Sequence, residues 1–187
     1  MRIVAGDWRG RALKAPSGTA TRPTADRVRQ ALFDMLMHAQ WGGLSVIEDA
    51  IVLDAFAGSG ALGLEALSRG AAQATFMESD RAALAALRAN IAACGAEDRS
   101  RVLAIDVLTA PLGSPCGLVF LDPPYGAALV PRAVAQLRAS GWIAPHTVVV
   151  AETGQAEALP ALGALLAERA HGSARVSIWR IPGELAR

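Results

Sequence analysis

The chain has 187 residues, of which 52% are hydrophobic, and its mean hydropathy is +0.31. This length and apolar content suffice for one domain with a buried core, and they exclude a disordered chain. The formal net charge of the chain is +1. Residues 1–29 hold seven basic and two acidic residues, so this segment has a net charge of +5 and the remainder of the chain has a net charge of −4. A basic segment on an acidic body favours a polyanionic partner; a solvated charged arm is the alternative.

Other classes of protein are disfavoured by what the sequence lacks. No apolar run reaches membrane-spanning length, and no signal peptide opens the chain. Cys94 and Cys116 lack the spacing of metal ligands, so we expect two buried small hydrophobes in a reducing cytoplasm. The three histidines form no cluster, and we therefore expect no metal site.

The first forty residues predict a short hairpin followed by a helix. Residues 2–5 and 11–14 can pair around a tip that contains Trp8, which would either stack on an unpaired base or pack on the body. Thr24 is typical of a helix N-cap, and apolar residues at helical spacing follow it through residue 36. Arg27 and Arg29 lie off that apolar face, so we expect both to be free to meet a ligand.

From residue 50 onward, apolar strands alternate with helical segments. This order predicts a mostly parallel sheet covered on both faces. The expected strands are residues 50–53, 74–78, 101–105, 118–121 and 148–151, with helices at 62–69, 80–93 and 129–139. Residues 165–170 and 174–181 predict an antiparallel hairpin that closes one edge of the sheet.

A glycine-rich turn joins the first of these strands to a helix. Residues 58–63 match G-x-G-x-x-G, and such a turn is where open α/β sheets bind nucleotide-like ligands. Asp54 at the end of the strand would repel a pyrophosphate but would favour the cationic sulfonium and ammonium of S-adenosylmethionine. We therefore favour that cofactor over a dinucleotide or a purely structural turn.

Two more carboxylates end the next two strands. Glu78 lies 18 positions after Gly60 and can accept hydrogen bonds from ribose hydroxyls; the alternative is a surface carboxylate. Asp106 ends the following strand and would either accept from the adenine amino group or cap the local main chain.

Asp122-Pro123-Pro124-Tyr125 directly follows the fourth strand and carries the strongest signal for chemistry. The two prolines remove two main-chain donors, so the turn offers carbonyl acceptors, and Asp122 adds a carboxylate. Tyr125 adds a flat face for stacking a planar substrate. Together these groups predict a clamp that accepts hydrogen bonds from an exocyclic amino group and directs its lone pair at a methyl donor.

At this point the sequence resembles a known family. Asp-x-Phe-x-Gly-x-Gly at residues 54–60, followed by Asp-Pro-Pro-Tyr, is similar to the class I amino-methyltransferases. Within them, residues 2–11, 22–29 and 55–70 resemble the RsmD family, and the similarity spans nearly the whole chain except for a less clear match at 176–180.

The resemblance implies a Rossmann-like seven-stranded sheet and methylation of N2 of a guanine in 16S rRNA, at position 966, within the small subunit. It implies a single compact domain, with residues 1–40 as a basic RNA-binding extension and 41–187 as the methyltransferase part, and we expect a monomer. The expected cofactor contacts are Asp54, Phe56, Ala57, Gly58, Ser59, Gly60, Glu78, Ser79, Asp106, Val107 and Asp122. The expected RNA contacts are Arg2, Trp8, Arg9, Arg11, Lys14, Arg22, Thr24, Arg27 and Arg29.

Three other functions remain open from the residues alone. Similar clamps methylate adenine N6 in DNA or a glutamine amide in protein, although those families more often begin the clamp with Asn and carry larger recognition segments. A non-catalytic RNA-binding assembly factor could keep the same fold. A nicotinamide oxidoreductase is disfavoured because nothing resembles a hydride-transfer site.

Overall fold

The computed structural model describes residues 1–16, 23–124, 128–158 and 161–183; for residues 23–25 and 171 only the main chain is described. Its centre is a seven-stranded sheet with the order β3-β2-β1-β4-β5-β7-β6. The strands are β1 (Ile51–Asp54), β2 (Gln73–Glu78), β3 (Ser100–Ala104), β4 (Leu118–Leu121), β5 (Val148–Gly154), β6 (Ala164–His171) and β7 (Ala174–Arg180). The first five are parallel to one another, and β7 pairs antiparallel with both β5 and β6, which confirms the expected fold class.

The described helices are α1 (Pro23–Met37), α2 (Ala61–Ser68), α3 (Arg81–Cys94) and α4 (Leu129–Ala139), beside three short 3-10 turns. Asp80 caps α3 through a hydrogen bond from the Ala83 N–H to its carboxylate. Helix α1 begins at Pro23, where the missing N–H and the fixed φ of proline suit a first helical residue, so the prediction of Thr24 as the N-cap is wrong. None of the described helices combines the length and apolar character that a membrane span requires.

Apolar side chains fill both faces of the sheet. One cluster contains Phe33 of α1, Leu64 of α2 and Leu87 of α3, packed on the side chains of that face such as Phe76. The other cluster lies under α4 and includes Trp179, which is 1% exposed. Cys94 and Cys116 are both buried free thiols, as expected.

The N-terminal residues form the expected hairpin and pack on the body. Arg2 and Ala12 make an antiparallel bridge, and the Ile3 N–H donates to the Arg11 carbonyl at 2.9 Å. Ile3 and Leu13 are buried in the same cluster as Phe33. The hairpin therefore shares its core with the sheet.

Candidate active site

Three of the carboxylates singled out in the sequence meet at the carboxyl edge of the sheet. Asp54 ends β1, Glu78 ends β2, and Asp122 directly follows β4. Because β1 lies between β2 and β4 and all three strands are parallel, these side chains share one edge. Ligands of open α/β sheets bind in the crevice outside this edge.

Asp54 is the most deeply buried of the three carboxylates, at 1% exposure. Its Oδ2 accepts a hydrogen bond from the Gly63 N–H at 2.9 Å, whereas its Oδ1 has no partner among the described residues. Burial raises the pKa of Asp54 to about 7; the Gly63 hydrogen bond opposes this shift, and the charge of Glu78 adds to it. An unpaired buried carboxylate oxygen is a position where a cationic ligand would be stabilised.

Glu78 fixes the start of the glycine turn. Its Oε2 accepts from the Gly58 N–H at 2.8 Å. Its Oε1 accepts from the N–H groups of Ser79 and Asp80 at 2.7 and 2.8 Å. Each carboxylate oxygen carries two lone pairs, so these three hydrogen bonds leave one acceptor position, on Oε2, for a ribose hydroxyl of the kind expected from the sequence.

The three glycines of the turn are required for different reasons. Gly63 lies against Phe76, where an added Cβ would stand 2.3 Å from the Phe76 ring. Gly60 has φ +80° and approaches Leu87 equally closely. Gly58 has φ +53°, and an added Cβ would meet no described atom within 4 Å. Gly58 therefore borders open space, as a residue under a bound ligand should.

These observations fit S-adenosylmethionine. The buried Asp54 carboxylate places a negative charge that favours a nearby cation, and Glu78 keeps an acceptor position for a hydroxyl. A pyrophosphate at this edge would instead face two acidic side chains, Asp54 and Glu78. The geometry thus agrees with the preference for this cofactor over a dinucleotide.

The remaining expected cofactor contacts vary in accessibility. Phe56 is half-buried and Ala57 is buried beside it. Ser59 is buried, with its hydroxyl directed at the sulfur of Met1 at 3.8 Å. The Val107 side chain lies in the core under α4, so only its main chain is left for a ligand contact. Asp106 accepts from the Leu108 N–H at 2.8 Å, which is the local capping role held open above.

The acceptor turn begins as the sequence indicates. Asp122 and Pro124 are exposed, Pro123 is buried, and Tyr125 lies outside the described residues. Desolvation, and then the charges of Glu152 and Asp54, raise the pKa of Asp122 above the ordinary Asp range. Asp122 is itself exposed, so solvent screens part of this shift.

One predicted RNA contact is wrong. Arg29 is 5% exposed and cannot face an RNA, because it forms ion pairs with Asp26 at 2.9 Å and with Glu65 at 3.4 Å. Its Nη2 also donates to the Arg2 carbonyl. The helical spacing placed Arg29 off the apolar face of α1 correctly, but that side of the helix packs against α2 and the hairpin.

Glu65 and Ser68 of α2 anchor the hairpin, and neither role is predicted from the sequence. The fully buried Glu65 accepts from the N–H groups of Val4 and Ala5 at 2.8 and 3.0 Å and pairs with Arg69 at 2.8 Å. Ser68 donates to the Ala5 carbonyl at 2.7 Å. The available signal was a glutamate and a serine within the otherwise apolar run of residues 61–68.

Trp8 at the tip of the hairpin packs on the body. Its main-chain N–H donates to the Ser68 hydroxyl at 3.0 Å, and the Arg99 guanidinium lies 5.0 Å from its ring centre. Ser68 ends α2 and Arg99 precedes β3, so both lie at the amino edge of the sheet. Trp8 is therefore at the opposite edge from Asp54 and Asp122.

The remaining predicted RNA contacts split by exposure. Five basic side chains are exposed: Arg2, Arg9, Arg11, Lys14 and Arg27. Arg11 also donates to the Ala93 carbonyl at the end of α3. Arg22 and the side chain of Thr24 lie outside the described part of the chain. Within that described part, no group of acidic, cysteine and histidine side chains could hold a metal ion.

Comparisons with known proteins agree with this geometry. The family model described as Conserved hypothetical protein 95 matches residues 1–180. The Ribosomal RNA small subunit methyltransferase D of Escherichia coli is 42% identical over 166 residues, covering 88% of this chain and 80% of its own length.

Solved structures give the same result. A putative methyltransferase, yhhF, from Escherichia coli superposes with a TM-score of 0.84 at 39% identity, covering 98% of this chain and 99% of its own. A Thermus thermophilus 16S rRNA N2 G1207 methyltransferase in complex with AdoMet and guanosine superposes with a TM-score of 0.63 at 20% identity, covering 88% of this chain and 44% of its own. This second likeness concerns the fold alone.

Proposed function

The chain belongs to the Conserved hypothetical protein 95 family, the RsmD family, and on that premise we propose that it methylates the exocyclic N2 of a guanine in 16S rRNA with S-adenosylmethionine. The observation that carries this proposal is the position of Asp122. It follows β4 immediately, one strand away from the buried Asp54 with its unpaired oxygen. A cofactor held at Asp54 and an amino group held at Asp122 would meet at the same edge of the sheet.

Asp54 and Glu78 form the side of the crevice that we assign to the cofactor. S-adenosylmethionine, when bound, supplies an electrophilic methyl group on a positively charged sulfur. Asp54 and Glu78 would hold and orient it, because a carboxylate favours its cationic end and accepts a hydrogen bond from a hydroxyl. Their fixed positions come from main-chain hydrogen bonds to Gly63 and Gly58.

Asp122 and the two prolines prepare the acceptor. The guanine N2 lone pair is delocalised into the ring, so the amino group is a poor nucleophile. Hydrogen bonds accepted by the Asp122 carboxylate and by the carbonyls of the turn draw the nitrogen toward tetrahedral geometry. Methyl transfer would form the N–C bond as the C–S bond breaks, and it would leave one extra proton on N2. Asp122, with its raised pKa, can take that proton.

The family resemblance extends the proposal to position 966 and to the assembled small subunit, with the enzyme acting as a cytoplasmic monomer. RNA phosphates would contact the exposed basic residues of the hairpin and of α1. Transfer of a labelled methyl group to small subunits, followed by mapping of the modified base, tests the assignment.

A further inference from the structure

A groove of about 530 Å³ opens between α4 and the chain that follows β5. Its walls are mostly apolar; Val130, Val134 and Ala135 of α4 form one side, and Ala161 and Leu162 lie opposite. Thr153 near the end of β5 also lines it. None of the cofactor contacts assigned above lies in this groove.

Thr153 gives the groove an unused polar group. The residue is 4% exposed, and its Oγ1 has no hydrogen-bond partner among the described residues. A buried hydroxyl without a partner destabilises a fold, since the hydration it loses is not replaced. A ligand in the groove would supply the missing hydrogen bond.

The neighbours of Thr153 on β7 repeat this pattern. Arg175 is directly opposite Thr153 in the register, and Ser177 is opposite Ala151. Because directly paired residues lie on the same face of a sheet, Arg175 and Ser177 share the face of Thr153. Both the Ser177 Oγ and the Arg175 Nε lack hydrogen-bond partners among the described residues. Half of the six unpaired buried side-chain atoms in the described ranges thus lie on neighbouring positions of this face.

The groove lies beside the acceptor turn. Leu121, which precedes Asp122, pairs with Ala151, and Thr153 follows two residues later on the same face of β5. The cofactor side of the crevice is formed by β1 and β2, on the other side of β4. An RNA strand that delivers a base to Asp122 therefore has this groove on the side away from the cofactor.

We propose that the groove binds an unstacked base of the substrate RNA that is adjacent to the methylated guanine; this rests on the proposed function. The aliphatic side chains of the walls would contact the two faces of the base by van der Waals packing. The Thr153 hydroxyl would pair with a polar atom on the edge of the base. Arg138, an exposed residue of the groove lining, suits the adjoining phosphate. Glu157 also lines the groove, and its carboxylate accepts a hydrogen bond from the Gly154 N–H.

The test combines changes in the protein with changes in the RNA. Thr153→Val removes the hydroxyl at nearly constant volume, and Ala135→Trp fills the groove from an exposed position. The substrate is the small subunit reconstituted with 16S rRNA, and the rRNA is made intact and with an abasic site at each nucleotide flanking the target. The matched control is Ser100→Ala, because the Ser100 Oγ is also buried and unpaired but lies at the amino end of β3.

We expect Thr153→Val to melt at or above the wild-type temperature, yet to raise the KM for intact RNA about 2- to 10-fold, the loss of one hydrogen bond. For the wild type, one of the two abasic substrates should raise KM at least as much as Thr153→Val does with the intact substrate. Thr153→Val should then add little further increase in KM with that abasic substrate. Ala135→Trp should raise KM at least as much, and Ser100→Ala should change nothing.

The outcomes separate the two proposals. If the wild type methylates the RNA but neither Thr153→Val nor Ala135→Trp alters KM, the groove does not bind RNA and the proposed function stands. Base binding in the groove is equally excluded if both abasic RNAs react like the intact one. If the wild type transfers no methyl group to any 16S RNA or small subunit, the proposed function fails and the assignment of the groove fails with it.

Discussion

Asn90 pairs with the main chain of Lys14 through two hydrogen bonds. The Lys14 N–H donates to Asn90 Oδ1 at 2.7 Å, and Asn90 Nδ2 donates to the Lys14 carbonyl at 2.9 Å. The same amide nitrogen donates to the carbonyl of Ser59 at 2.9 Å. Asn90 is 1% exposed, so a single buried amide links the second strand of the hairpin to the glycine turn.

Asn90→Ala should therefore weaken cofactor binding although Asn90 is buried outside the proposed pocket. Removal of the amide leaves the Ser59 carbonyl and both main-chain groups of Lys14 without their partner, at a cost of about 1–3 kcal/mol for each buried group that water cannot reach. We expect a lower Tm and a several-fold weaker S-adenosylmethionine affinity by calorimetry. Gln136→Ala is the matched control, since Gln136 donates its amide to the Ala110 carbonyl beside α4 at 3.0 Å; it should lower Tm alone. Unchanged cofactor affinity in Asn90→Ala would contradict the link.

The raised pKa of Asp54 predicts that cofactor affinity depends on pH. Free Asp54, with its pKa near 7, is partly protonated at neutral pH. A cationic ligand favours the carboxylate, so binding should release protons and strengthen as pH rises from about 6 to 8. Calorimetry in buffers of different ionisation enthalpy measures that release. Asp54→Asn should bind more weakly and without the pH dependence; an equally steep dependence in this variant would assign the titration to another group.

The same shift has a consequence for stability in the absence of cofactor. Between pH 3.8, the ordinary Asp pKa, and about 7, the folded protein retains a proton on Asp54 that the unfolded chain has lost. The contribution of this group to stability is therefore fully present below pH 3.8 and is lost as pH rises through 7. Asp54→Asn should lack this component. Denaturant unfolding of the wild type and the variant at pH 5 and pH 8 should therefore show a smaller decrease in the free energy of unfolding with pH for the variant.

Asp122→Ala should abolish turnover and leave most cofactor binding intact, because the acceptor turn holds the base more than the donor. Loss of one transition-state hydrogen-bond partner commonly costs about 10²–10³ in rate. Tyr125→Phe should keep most activity and Tyr125→Ala should lose it, as expected for a stacking role. If Tyr125→Phe were as inactive as Tyr125→Ala, the hydroxyl would be needed and the stacking role would be wrong.

The basic residues of the N-terminal segment should separate into two groups. The double variant with Arg9→Ala and Arg11→Ala should bind RNA more weakly. The slope of its log binding constant against log salt concentration should be smaller in magnitude by about 1 to 2, because each phosphate contact releases counterions. Arg29→Ala should instead reduce the free energy of unfolding by about 3 kcal/mol, since it breaks buried ion pairs with Asp26 and Glu65. Filter binding across a salt series and denaturant unfolding measure the two effects. An unchanged salt slope in the double variant would place the RNA elsewhere on the surface.

The alternation of strands and helices was predictable because it is encoded locally. The fourth strand and the helix after it lie at residues 118–121 and 129–139, as the apolar runs indicate. The positions of Asp54, Glu78 and Asp122 at strand ends follow from the same runs, because parallel strands place their carboxyl ends at one edge.

What the sequence did not reveal depends on contacts between distant residues. Glu65 receives the N–H groups of Val4 and Ala5 from about 60 positions away, and Asn90 receives that of Lys14 from 76 positions away. Local periodicity cannot indicate which residue a buried polar side chain will meet. The burial of Arg29 has the same origin, since its partner Glu65 belongs to another helix.

Methylation of guanine N2 in 16S rRNA can be tested by identifying the nucleoside that the enzyme labels. The purified protein is incubated with methyl-labelled S-adenosylmethionine and one acceptor at a time. The acceptors are naked 16S rRNA, small subunits that lack the modification, and double-stranded DNA. The modified nucleoside is then identified by mass spectrometry and mapped. We expect one labelled methyl group per RNA, on N2 of a single guanine, and no transfer by the Asp122→Ala variant. Label on adenine, on DNA or on protein, or no transfer at all with cofactor bound, would contradict it.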